Sequence, residues 1–135
     1  MFKRLYFIVC LLMISFVTLS AQTSNQLIRK GNKNFSSKNY AQAEFFYRKA
    51  IEKEPNNAIG NYNLARCLQA QHKNAEAKKI YEKAVKLETD PIRQASSYNN
   101  LGTIYQGEKN YSKAIDYYKK AMRDNPSHNN ARYNF

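Results

Sequence analysis

The side chains that usually carry catalysis are few and scattered in this sequence. The 135-residue chain has 2 His and 2 Cys. His72 falls where a helix is expected to end and reads as a solvated charge near the terminal carbonyls. His128 stands beside an expected helix start. Asp90, Asp116 and Asp124 read as one helix cap and two surface charges. These positions do not assemble into a nucleophile, base and acid set. Two Cys and two His at these spacings make neither a disulfide scaffold nor a four-ligand zinc site. Glycine-rich phosphate loops and the metalloprotease helix motif are absent from the sequence. No enzymatic activity, metal or cofactor is expected.

The more conspicuous chemistry is charge and aromatic content. Lys and Arg number 22 against 10 Asp and Glu, giving a formal charge of +12, and there are 11 Tyr and 7 Phe. The basic excess is spread along the chain. Nucleic-acid binders gather it on one face, so nucleic acid is not an expected partner. A solvated basic surface is the plain reading. Attraction to an anionic membrane surface stays open beside it.

Lys3 and Arg4 precede an uncharged run from Leu5 to Leu19, followed by Ser20-Ala21-Gln22. A basic start, a short apolar run and small residues form a secretory signal pattern. Residues 1–21 are therefore expected to be a signal peptide cut near Ala21, with Ser20 as the close alternative. A retained anchor is the other reading, although a spanning helix wants about 20 apolar residues. Cys10 lies inside this run and reads as filler. Cys67, between Leu64 and Leu68, is expected to be buried.

The rest of the chain repeats itself. Ala43, Tyr47 and Ala50 recur 34 residues later as Ala77, Tyr81 and Ala84. Ala114, Tyr118 and Ala121 follow after 37, which places an insertion near Thr89-Asp90-Pro91. Apolar residues at helical spacing within each unit predict paired helices. Helices are expected near 25–37, 40–54, 58–71, 74–88, 91–107 and 111–124, with a seventh beginning near 128. Asp90 can cap the helix that Pro91 opens, and the insertion should lengthen that helix by about one turn.

The 34-residue period, with Tyr98-x2-Leu101-Gly102-x2-Tyr105 and then Ala114, Tyr118, Ala121 and Pro126, resembles the tetratricopeptide repeat family. The resemblance implies an all-α, right-handed solenoid of three helix-turn-helix repeats, at about 24–57, 58–94 and 95–128. A partial fourth follows at 129–135, where Ala131-Arg132-Tyr133-Asn134-Phe135 echoes Gly60-Asn61-Tyr62-Asn63-Leu64. An unfinished repeat suggests a fragment of a longer protein. The sequence departs from the family pattern at Lys30, Asn34, Asn74 and Thr89. Asn74 stands where an aromatic is usual, so the second repeat is expected to be the weakest pair.

In this family the first helix of each pair lines a concave groove that binds a partner. The resemblance implies groove positions Asn25, Ile28, Asn32 and Phe35 in the first repeat. It implies Ile59, Tyr62, Arg66 and Gln69 in the second, and Ser96, Asn99, Thr103 and Gln106 in the third. Asn130 and Tyr133 begin the next. Ile28 and Phe35 either line the groove or pack between helices. One subfamily clamps a C-terminal carboxylate, and Asn32 and Asn63 match its two asparagines. Its cationic places hold Ile28, Ser96 and Asn100, so chaperone-tail binding is not expected.

The export pattern, Arg29-Lys30-Gly31-Asn32 and Asn99-Asn100-Leu101-Gly102 resemble a narrower group, the exported repeat proteins of Bacteroides aerotolerance (Bat) gene clusters. That resemblance implies a non-catalytic scaffold in the periplasm or cell envelope. Its partner would be another protein, such as a membrane protein with a von Willebrand factor A domain. The alternatives are a docking module of a larger exported enzyme or sensor, and a basic peripheral membrane-surface protein.

Overall fold

The computed structural model describes residues 1–19 and 22–124, and the side chains of 1–10 and 22–124. Its seven helices are α1 (Phe2–Leu19), α2 (Ser24–Ser36), α3 (Tyr40–Lys53), α4 (Ala58–Ala70), α5 (Asn74–Leu87), α6 (Pro91–Gly107) and α7 (Tyr111–Asp124). Among the described residues there is no strand. The expected boundaries of the six repeat helices hold to within about a residue. The region read as a leader is α1 with the positions that follow it, and no described helix is long and apolar enough to cross a membrane. The partial fourth repeat, with Asn130 and Tyr133, lies outside the described residues.

Helices α2 and α3, α4 and α5, and α6 and α7 form three pairs stacked in chain order. Local sequence starts the first helix of each pair. Thr23 and Gln26 make a capping box, with the Gln26 N–H donating to Thr23 Oγ1 at 3.2 Å and the Thr23 N–H donating to Gln26 Oε1 at 3.0 Å. The Asn57 side chain accepts from the Gly60 N–H at 2.9 Å. Asp90 Oδ1 accepts from the Ile92 N–H at 2.8 Å, with Pro91 in the first turn as expected. Each cap satisfies backbone donors that have no partner inside the helix. Helix α6 has 17 residues against 13 in α2 and α4, the extra turn that the insertion requires.

Each of these helices ends in a turn that the sequence pattern does not mark. Lys38, His72 and Lys109 take φ of 60°, 60° and 62°. The next residue's N–H then closes back on the helix: Asn39 to Asn34 O at 2.9 Å, Lys73 to Leu68 O at 2.9 Å, and Asn110 to Tyr105 O at 2.8 Å. This left-handed turn normally favours glycine. His72 is thus an exposed turn residue at a helix end.

The core runs along the inside of the stack. Ala43, Ala77 and Ala114 let the two helices of each pair approach, and Tyr47, Tyr81 and Tyr118 fill the space between them. A Cβ on Gly31 would run into the Tyr47 ring, and one on Gly102 would stand 2.5 Å from Tyr118 Cε1. Cys67 is buried as expected, with its thiol donating to Tyr40 O at 3.0 Å. Burial pushes its pKa up.

Polar networks join the first pair to the second. Glu44 Oε2 accepts from Gln71 Nε2 at 2.8 Å and Lys73 Nζ at 2.9 Å, and Arg48 bridges Glu44 and Glu76 at 2.8 and 2.7 Å. Burial pushes the Glu44 carboxyl up, but the bonds from Lys73, Gln71 and Arg48 outweigh it and hold it at about 2.

Candidate functional site

The face made by α2, α4 and α6 carries the expected groove residues, and the structure sorts them by what else they do. The sorting begins at the three core tyrosines, whose hydroxyls all reach toward this face. Tyr81 donates to Gln69 Oε1 and Tyr118 to Gln106 Oε1, both at 2.7 Å. Tyr118 also reaches Thr103 Oγ1 at 3.5 Å. In the first repeat the place of Gln69 and Gln106 holds Phe35, which has no acceptor. Tyr47 turns instead to Asn32 Oδ1 at 2.7 Å, and Asn63 Nδ2 donates to the same oxygen at 3.1 Å. Burial, with Cys67 second, pushes the Tyr47 phenol up to about 12, and burial pushes Tyr81 further.

Asn32, Gln69 and Gln106 therefore hold core hydroxyls as well as facing the groove. Ile28 belongs to the core at 7% exposure, which resolves its two readings toward packing. Thr103 Oγ1 and Ser96 Oγ bond back to their own helix, at Asn99 O (3.0 Å) and Ile92 O (3.4 Å). Asn99 is half-buried, and its Oδ1 is buried without a hydrogen-bond partner among the described residues. Asn25 is exposed on α2.

Two recesses gather most of the rest. The wider one, about 580 Å³, lies between α2 and α4 and is lined by Asn32, Phe35, Ser36, Lys38, Tyr40, Tyr47, Asn63 and Arg66. The Arg66 guanidinium lies over the Phe35 ring, 4.8 Å from its centroid, and 5.8 Å from that of Tyr62. The smaller recess, about 60 Å³, is walled by Ala58, Ile59, Tyr62, Ala84, Glu88, Arg93, Ser96 and Ser97. Tyr62 stands between the two recesses, its ring edge-on to Tyr81 at 6.0 Å and its hydroxyl accepting from Asn100 Nδ2 at 3.3 Å. The groove offsets did not indicate Lys38, Tyr40, Glu88 or Arg93. The last two meet because the insertion after α5 folds Arg93 back onto Glu88 at 2.9 Å.

The basic surface is partly engaged with the protein's own rings. Lys78 and Lys113 lie over Tyr105, and Lys120 over Tyr117, at 4.6, 5.2 and 4.9 Å. Among the described residues no cluster of three or more His, Cys, Asp and Glu is placed to hold a metal.

Paired helices stacked in register, with one helix of each pair facing a common groove, define a helical-repeat protein. A tetratricopeptide-repeat profile matches residues 57–125 and a second one residues 27–57. The chain belongs to the tetratricopeptide repeat family. It is 40% identical over 52 residues to the photosystem I assembly protein Ycf3 of Synechococcus sp. (strain CC9902), covering 38% of this chain and 30% of that protein. It is 33% identical over 94 residues to a STIP1 homolog of Dictyostelium discoideum, covering 67% of this chain and 17% of that protein. The chain thus spans under a third of the length of either relative. Among solved structures, the OM64 TPR domain of Arabidopsis superposes with a TM-score of 0.77 at 22% identity, over 83% of this chain and 90% of that one. The first TPR of Spaghetti (RPAP3), bound to the HSP90 peptide SRMEEVD, gives 0.75 at 24%, over 84% and 87%.

These relatives correct one expectation. Export to the periplasm or cell envelope is overturned, because further relatives, the photosystem I assembly protein Ycf3 of Cyanophora paradoxa and the Hsp70-Hsp90 organizing protein 3 of Arabidopsis thaliana, act in the chloroplast or cytoplasm. None of these names bears on the narrower aerotolerance resemblance.

Proposed function

We propose that the chain is a non-catalytic protein-interaction scaffold that holds an extended segment of a partner protein along the face of α2, α4 and α6. The observation that carries this reading is the pair of recesses on either side of Tyr62, one polar and open, the other small and mostly apolar. Amides such as Asn63 can bond a peptide backbone, and rings such as Phe35 and Tyr62 can take its side chains. The STIP1-like and TPR–peptide relatives support the same reading. Placement of a photo-crosslinking residue tests it. Ile59 and Thr103 face the groove, whereas Lys83 is exposed on α5. A specific protein crosslinked in cells from positions 59 and 103 but not from 83 is the expected result. Equal labelling from all three would refute a groove. A von Willebrand factor A domain protein, implied by the narrower resemblance, is one partner that such crosslinks would identify.

A further inference from the structure

Arg66 lines the wider recess and Arg93 the smaller one, and of these two only Arg93 is neutralised. Arg93 is bound by Glu88 at 2.9 Å and Asp90 at 3.4 Å. Arg66 has no ion pair among the described residues, although its guanidinium is held against Phe35 and Tyr62. It occupies the repeat position of Asn32 and Thr103, the residues that meet Tyr47 and Tyr118. In the second repeat Gln69 takes the tyrosine hydroxyl instead, so Arg66 serves no core partner. A guanidinium stacked on rings keeps its in-plane donors available for a planar carboxylate. The stacking also reduces the rotamer freedom that binding would otherwise cost.

The smaller recess lies two turns away along α4. Ile59 and Arg66 are seven residues apart, about 10 Å along a helix. An extended peptide covers that in about three residues. The recess of about 60 Å³ equals the space of about two water molecules and suits a valine-sized group. On the reading that this face binds an extended segment, we infer that Arg66 takes an internal Asp or Glu side chain of that segment. A small aliphatic side chain about three residues away enters the recess beside Ile59 and Tyr62. The net basic charge of the chain favours an acidic occupant.

The probe is an array of N-acetylated, C-amidated octapeptides of Ala and Ser. Each bears one Val and one Glu, in either order and one to six residues apart, and the array is overlaid with the full chain. Retention is expected to peak near a spacing of three, and to fall about tenfold on Glu-to-Gln replacement in the peptide or with Arg66→Gln in the protein. Arg66 is exposed and serves no core partner, so that variant should stay folded, with its melting temperature lowered only by the lost ring contacts. Retention indifferent to both replacements, but removed by Tyr62→Ala, would overturn the carboxylate inference and leave the groove reading standing. Retention confined to free-carboxyl versions of the same peptides would overturn the internal carboxylate in favour of a chain terminus. No retention at any spacing would overturn both readings.

Discussion

The first and second repeats meet the same requirement with different residues. Each buries a tyrosine between its two helices and must give the hydroxyl an acceptor. The first repeat places Gly31 under Tyr47 and uses Asn32. The second places Ala65 near Tyr81 and uses Gln69. The acceptor moves by one helical turn because Phe35 stands where Gln69 would be. A polar residue on the groove face is thus either committed to the core or free of it, and the choice differs from repeat to repeat. Counting groove positions by offset alone merges the two kinds.

Several measurements would break this comparison or sharpen it. The widest contrast is in whole-repeat opening. Leu64, Ala65, Cys67, Leu68, Ala77 and Tyr81 are all at 0% exposure, and the second repeat is covered on both sides. Native-state hydrogen exchange is therefore expected to be slowest in α4, with α2 opening earlier. This reverses the expectation drawn from Asn74. Faster exchange in α4 than in α2 would restore that expectation.

Exchanging the small residues comes next. Gly31→Ala gains helix propensity of about 1 kcal/mol but overpacks against Tyr47 at about 1–3 kcal/mol, so a net loss of about 1 kcal/mol is expected in urea denaturation. Ala65→Gly should also lose about 1 kcal/mol. A stabilised Gly31→Ala would mean that the first slot has slack.

The hydroxyls differ more finely. Tyr81→Phe leaves Gln69 without its donor and should cost about 1 kcal/mol. Tyr47→Phe leaves Asn32 its bond from Asn63, so about half that loss is expected. Equal costs would show that the Asn63 bond contributes nothing.

The junction between these repeats is expected to be acid-sensitive. The folded pKa of Glu44, about 2, lies below the ordinary 4.5. Its contribution is whole above about 4.5 and is lost as the pH falls toward 2. Arg48 and Lys73 are 40% and 49% exposed, so screening limits the loss to about 1 kcal/mol. Glu44→Gln should flatten the acid limb of a stability profile. An unchanged limb would assign acid sensitivity elsewhere.

The smallest effect is at the helix ends. Lys38→Gly and His72→Gly relieve a positive φ and should each stabilise by a few tenths of a kcal/mol, or about 0.5. A loss at either would mean that its side chain does more than turn the chain.

The period and the small residues made the fold legible. They placed six helices and the longer α6, because repeat spacing and the Asp90-Pro91 start are local signals. The site was legible only in outline. The offsets named Arg66, Tyr62 and Phe35, whose side chains meet on this face, and also Ile28, which packs inward; the sequence left packing open for both Ile28 and Phe35. That distinction depends on how neighbouring helix pairs stack, which sets Ile28 of α2 beside Gly60 of α4. The left-handed turns were hidden because Lys and His fill places that glycine would have marked.

The thiol of Cys67 gives this stack a built-in clock. It is sealed between α3 and α4 with a raised pKa, whereas Cys10 is exposed. In native conditions an alkylating dye should mark the exposed Cys10 of the uncleaved 135-residue chain at once and Cys67 only when the first two pairs part. The slow step would time the separation of neighbouring repeats in the unmutated protein, and the fast one would calibrate the reagent in the same tube.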